Sequence, residues 1–393
     1  MSKHIGFQNK LSSFQIIILG FAGVIVLGAL LLMLPISTQN GAVTPFSKTL
    51  FTATSAVCVT GLIVFDTASY WSGFGQLIIL IMIQIGGLGV ISVASFLSML
   101  AGRKISLMQR QTMQNALSAP QMGGIVKLTR FIFLVSFAIE GIGALLLMPV
   151  FMTKYGIRGI WMAVFHSVSA FCNAGFDLMG NQTGQYSSLT SFAGSGYVTL
   201  VICLLIMIGG IGFLTWKDIA VKKTRFKEYS MQTKVILVTT AILIVIPAVF
   251  FFFSDFANEP LKDRICMSVF QAVTPRTAGF NTADLNKMSD AGRSVMMLLM
   301  LIGGSPGSTA GGMKTTTFAV LILNAIATFR SQENAGAFGR RLEYHVIKNA
   351  ATIAMLYFSL FFCGGIAISV YEDLPLLDCL YEAASAVSTV GLT

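Results

Sequence analysis

The sequence predicts an all-α integral membrane protein in which one unit, a spanning helix, a re-entrant loop and a second helix, is repeated four times. Three observations predict it. Of 393 residues 55% are hydrophobic and only 11% charged, against about 25% charged in soluble domains. Apolar stretches recur along the whole length, and about 20 such residues cross a hydrocarbon core. Between them a shorter apolar segment of one pattern appears four times.

The long stretches run over 14–34, 74–100, 131–151, 197–216, 235–253 and 347–370, with a further one at 294–302 that continues through a polar break into 318–329. The first is long and lacks a small-residue cleavage site, so it reads as a retained helix and not a leader. Basic residues fall in three connections: Arg103, Lys104, Arg110, Lys127 and Arg130; Lys217, Lys222, Lys223, Arg225, Lys227 and Lys234; Arg330, Arg340, Arg341 and Lys348. Acidic residues such as Asp66, Asp177, Asp255, Glu259, Asp263, Glu372 and Asp373 lie in the alternate connections. The positive-inside rule places the three basic loops and the N-terminus, with Lys3 and Lys10, in the cytoplasm of a multi-pass protein of the cell membrane. The net charge of +10 is thus mainly topology, with anionic lipid or an acidic partner as the second reading, and no nucleic acid is implied.

The four short segments read FTATSAVCVTGL (51–62), FHSVSAFCNAGF (165–176), FQAVTPRTAGF (270–280) and YEAASAVSTVGL (381–392). Each opens on an aromatic, passes through small or hydroxyl residues and ends in Gly followed by Leu or Phe. A second signal follows in phase: QIGGLG (84–89), MIGGIG (207–212) and LIGGSPGS (301–308). Such internal similarity marks repeated structural units: 14–100, 129–216, 232–329 with a broken helix at 303–317, and 345–393. The fourth unit stops just past its glycine, and the pattern predicts that a longer parent chain would complete it. The GG steps suit close packing of the inward helices.

Four units of this kind around one axis build a central ion pore. A dehydrated cation needs oxygen ligands, and backbone carbonyls turned into a narrow tube supply them. Aligning them requires backbone angles that Gly adopts without a Cβ clash. The expected selectivity filter is Val59, Thr60 and Gly61; Asn173, Ala174 and Gly175; Thr277, Ala278 and Gly279; and Thr389, Val390 and Gly391. The unlike side chains make the ring pseudo-fourfold and leave coordination to carbonyls near the four glycines. The third segment is one residue shorter, so Pro275 and Arg276 reshape its turn. Half-helices before the filters would point their partially negative C-terminal ends at the membrane centre, which favours a cation there.

These segments, with GGSPGSTAGGMKT at 303–315, resemble the Ktr/Trk/HKT superfamily of potassium and sodium transporters over essentially the whole chain. With a single span before the first filter, the chain is most similar to the bacterial Ktr membrane subunits. The resemblance implies potassium uptake, a membrane homodimer and a separate cytosolic nucleotide-binding regulatory ring. It also implies an intramembrane gating loop, carried here by Gly303, Gly304, Ser305, Gly307, Ser308, Thr309, Gly311, Gly312 and Lys314. Small and polar residues at membrane depth demand a wet or protein-lined setting. Lys314 reads either as an electrostatic plug below the filter or as a side chain snorkelling to the interface.

Six scattered cysteines, three scattered histidines and the lack of GxxxxGKS, HExxH or GxSxG patterns leave enzymatic chemistry without a foothold. No cofactor is expected; potassium is the transported ion, with possible sodium dependence. The competing function is a sodium or sodium-coupled transporter, which would favour inverted repeats, whereas these units share one orientation. A scaffold docking partners on its basic loops leaves the four aligned segments without purpose. Arg276 is expected to face away from the ring and pair with an acid, Glu140 to hydrogen-bond a neighbouring helix end within the membrane, and His166 to pack or cap.

Overall fold

The computed structural model describes residues 12–102, 105–119, 121, 123–332 and 334–393. Lys3, His4, Lys10, Arg103 and Lys104 lie outside them. The architecture is almost wholly helical, as the composition requires. Among the described residues four helices are long and apolar enough to span a membrane: α1 (Ser13–Met33), α7 (Ile125–Tyr155), α12 (Met231–Phe253) and α16 (Tyr344–Glu372). α1 starts on a capping box, in which the Ser12 hydroxyl accepts from the Gln15 amide while the Gln15 side chain accepts from Ser12 N–H. Phe14, Ile18, Leu19, Leu27 and Leu30 remain exposed on it, the pattern of a helix that faces lipid.

After each long helix comes a shorter one: α2 (Phe46–Val57), α8 (Arg158–Phe171), α13 (Leu261–Val273) and α17 (Leu376–Val387). Their 12, 14, 13 and 12 residues reach about 20 Å at 1.5 Å per residue, short of a 30 Å core. α2, α13 and α17 begin directly after Pro45, Pro260 and Pro375, where a missing N–H costs nothing. All four half-helices end inside the quoted segments, four to six residues before the glycine. Short connectors, α3 (Thr67–Tyr70) and α9 (Gly180–Thr183), follow the first two segments.

The inward spans depart from expectation. Read as single helices over 74–100 and 197–216, they are each broken in two: α4 (Gly73–Leu88) meets α5 (Val90–Leu100) at 98°, and α10 (Gly196–Gly210) meets α11 (Phe213–Lys222) at 98°. The hinges are Gly89 (φ 84°, ψ 127°) and Gly212 (φ 94°, ψ 139°), a backbone region open essentially to glycine alone. The break looked particular to the third repeat because only there is it polar; the last glycine of QIGGLG and MIGGIG makes the same break with apolar flanks. α6 (Leu107–Ala116) lies in the first basic connection. In the third repeat α14 (Asp290–Leu301) leads into the polar loop and α15 (Thr315–Phe329) leaves it. The third basic loop carries a two-residue hairpin, β1 (Gly336–Ala337) against β2 (Arg340–Arg341).

Buried apolar side chains form two clusters. One gathers repeats one and two around Trp71, Phe151, Phe165 and Phe171 and takes in Phe270, Val273, Ala278 and Phe280 of the third; the other gathers the rest of repeat three and repeat four around Phe251, Met296, Met300 and Tyr381. Ala278 belongs to the first and Val390 to the second, so the two clusters meet where the third glycine-bearing segment abuts the fourth.

Candidate ion pathway

The four segments form one closed ring. A Cβ placed on Gly61 would lie 2.7 Å from the carbonyl oxygen of Ala174, and one on Gly175 would lie 2.9 Å from that of Ala278. On Gly279 and Gly391 it would come closer still to the carbonyls of Val390 and Thr60. Each glycine thus abuts the residue before the glycine of the next repeat, and the fourth returns to the first. The space that side chains would fill holds carbonyl oxygens.

Backbone angles agree. The glycines have φ of 87°, 72°, 78° and 92°, and two residues earlier Val59, Asn173, Thr277 and Thr389 have φ of 56°, 58°, 65° and 54°. Left-handed conformation at a β-branched residue is an outlier, and three of these four are β-branched. Two left-handed residues flanking an ordinary one turn successive carbonyls to the same side, which a ligand tube needs. Half-helices brace the strained turns: Thr60 N–H donates to Ser55 O (2.7 Å), Ala174 N–H to Ser169 O (2.8 Å) and Val390 N–H to Ser385 O (2.9 Å). In the shortened third turn Ala278 N–H donates to Thr274 O at 2.9 Å.

Sequence reasoning missed a set of residues here. Ser169 Oγ donates to Phe176 O (2.7 Å), Thr274 Oγ1 donates to Phe280 O, and Ser385 Oγ accepts from Gly391 N–H (3.1 Å). These hydroxyls tie the residues at and after the glycine back to the half-helix. A Ser or Thr at this aligned position in all four quoted segments was the available signal.

The polar loop lies against this ring. Ile302 and Met313 pair as an isolated bridge at its neck, and Thr315 N–H donates to Gly304 O (3.0 Å). Ser305 N–H donates to Gly210 O (2.9 Å), and Thr309 N–H to Gly209 O (3.3 Å). The GG step of repeat two therefore supplies carbonyls that hold the loop, a role beyond the packing expected of it. On the side of the ring Thr309 Oγ1 lies 2.9 Å from Phe171 O and 3.3 Å from Asn173 Oδ1, and Gly311 N–H donates to Thr277 Oγ1 at 3.1 Å.

A model of a cation transport protein family, TrkH, matches residues 4–393. The chain belongs to the TrkH family of cation transport proteins. It is 40% identical to the Ktr system potassium uptake protein B of Bacillus subtilis, over 96% of this chain and 85% of that protein. To the potassium/sodium uptake protein NtpJ of Enterococcus hirae it is 38% identical, over 98% of this chain and 86% of that protein. The crystal structure of the potassium transporter TrkH from Vibrio parahaemolyticus superposes with a TM-score of 0.71 at 15% identity, covering 96% of this chain and 76% of that one. This TrkH-family chain is a multi-pass membrane transport protein, not an enzyme.

Its buried polar residues take places the sequence foresaw only in part. Lys314 neither snorkels nor projects freely: its Nζ donates to Ala310 O (2.7 Å) and Gly311 O (3.4 Å), within its own loop. Arg276 turns from the ring, but its Nη2 donates to Thr240 Oγ1 of α12 at 3.3 Å, and among the described residues no carboxylate forms a salt bridge with it. The expected acid is replaced by a hydroxyl, because α12 packs there and offers Thr240. Glu140 accepts from Gln84 Nε2 at 2.9 and 3.1 Å, and its backbone carbonyl accepts from Ser167 Oγ (2.6 Å). Its carboxylate is thus held by a side chain of α4 and also accepts from the Cys172 thiol at the C-cap of α8 (3.9 Å), the neighbouring helix end expected of it. His166 bridges its half-helix to the outer turn, with Nδ1 2.7 Å from Met162 O and Nε2 accepting from Leu178 N–H at 3.4 Å.

Proposed function

We propose that this chain is the channel-like membrane subunit of a potassium-uptake system, with the Gly61, Gly175, Gly279 and Gly391 segments as its selectivity filter and 303–314 as its gate. The observation that carries the reading is the closed ring, in which each glycine faces the carbonyl of the next repeat with no room for a Cβ. Unlike a two-site alternating carrier, such a ring replaces the hydration shell of a cation in one place. Relatives named for potassium uptake support that ion. One relative's name includes sodium, so both ions belong in the test.

The N-terminus lies in the cytoplasm in this reading, with the basic connections. A second copy of the chain is one partner, and the other is a cytosolic nucleotide-binding ring that docks on the basic connections around Arg103–Arg130 and Lys217–Lys234. Proteoliposomes with defined potassium and sodium gradients test the proposal. Potassium flux exceeding sodium flux, and a nucleotide response that requires the added cytosolic ring, are expected. Equal permeation of the two ions would refute the filter, and nucleotide gating by the chain alone would refute the partner.

A further inference from the structure

The loop beneath the ring touches three of the four filter segments through the same aligned position. Asn173, Thr277 and Thr389 are the left-handed residues of repeats two, three and four. The Thr309 hydroxyl is shared between Phe171 O and Asn173 Oδ1, and the Asn173 amide passes the contact on to Arg276 O at 3.3 Å. Gly311 N–H rests on Thr277 Oγ1, and a Cβ on Gly311 would collide with Thr389 Oγ1. In repeat one the position is Val59, which offers no hydrogen bond. There a cavity of about 250 Å³ opens between Val59, Leu117 and the loop residues Gly307 to Gly311.

Resting on the channel reading, we propose that Asn173 and Thr277 are specificity-determining latch residues: the loop holds the filter in its selective shape, so releasing the loop loosens selectivity as well as opening the path. The physical reason lies in their backbone. Left-handed non-glycine residues persist only where their surroundings over-determine them. At Asn173 and Thr277 the side chains that do so bond the mobile element itself. Gate and filter are one coupled unit, and the cavity beside Val59 is the side toward which the loop is free to move.

Thr309→Val keeps the shape of the side chain and removes its hydroxyl, while Thr309→Ser restores it. In proteoliposomes carrying potassium and sodium gradients, Thr309→Val is expected to raise basal potassium flux about two- to tenfold, the factor that one net hydrogen bond represents. It also lowers the potassium-to-sodium flux ratio, and Thr309→Ser returns both toward the unmodified values. Raised flux with an unchanged ratio, or no change in either, overturns the latch. Size-exclusion profiles establish assembly first. Thr277→Val, which removes the acceptor of Gly311 N–H and is compared with Thr277→Ser, is read in the same way should Thr309→Val fail to assemble. An unmodified chain without potassium-selective flux would sink the channel reading instead, whatever Thr309 does.

Discussion

At the scale of single residues the ring is intolerant for two separate reasons, and they predict graded outcomes. Gly391 has φ of 92°, and a Cβ there would run into Thr60 O. Gly391→Ala therefore combines strain with collision. Gly61→Ser meets the Ala174 carbonyl at 2.7 Å and distorts one wall. Both are expected to lower the potassium-to-sodium flux ratio in proteoliposomes. Gly23→Ala in α1, where a Cβ meets nothing within 4 Å, leaves the ratio unchanged. A loss of ratio in the Gly23 variant equal to that in Gly391→Ala would show that the assay reads folding and not the ring. Glu140 makes the other residue-scale case. Glu140→Ala leaves the Gln84 amide without its acceptor in an apolar setting, a cost of about 1–3 kcal/mol, whereas Glu140→Gln retains an oxygen in place. Thermal unfolding in detergent should rank unmodified protein, Gln and Ala in descending stability; Ala equal to unmodified protein would remove Glu140 from the framework.

Among elements, the two right-angle breaks look alike but do different work. At Gly89 a Cβ would make only an ordinary contact, with Ser92 Oγ nearest at 3.7 Å, whereas at Gly212 it would lie 2.7 Å from Pro306 O in the polar loop. Both carry φ values that strain an L side chain, at about 1–3 kcal/mol. Gly89→Ala is thus expected to lower the unfolding temperature with little effect on the transport of each folded molecule. Gly212→Ala should in addition displace the loop and raise basal potassium flux. Equal flux per folded protein in the two variants would contradict the idea that the second bend positions the loop. Half-helices, by contrast, were visible in the sequence: each quoted segment opens on an aromatic and is too short to span.

For the whole molecule, the outer connections of different repeats lock together. Asp66 caps α3 and accepts from Tyr186 N–H of the second repeat at 3.2 Å. Asp177, two residues past Gly175, has its carboxyl pushed up to about 7 by desolvation and by the neighbouring Asp66 charge. Its folded form therefore holds a proton that the unfolded chain has already lost above about pH 4, so stability declines as pH rises from there through 7. Unfolding temperatures measured from pH 5 to 8 should fall more steeply for the unmodified protein than for Asp177→Asn. Parallel slopes would mean that this carboxyl does not couple to folding.

Sequence by itself determined the membrane class, the fourfold repeat and the glycines of the ring. These follow from local rules that act within a few residues: an apolar span must be helical in lipid, a segment of 12 to 14 residues cannot cross it, and a left-handed turn selects glycine. What stood outside its reach was every pairing between distant segments. That Arg276 meets Thr240 and no acid, that Gly209 and Gly210 lend carbonyls to the loop, and that Lys314 bonds Ala310 depend on which helices become neighbours. The same holds for Asn173 meeting Thr309, 136 residues away. Tertiary structure decided these because a polar group buried in an apolar interior takes whatever partner the packing brings within 3 Å or so, and no spacing along the chain encodes that partner's identity.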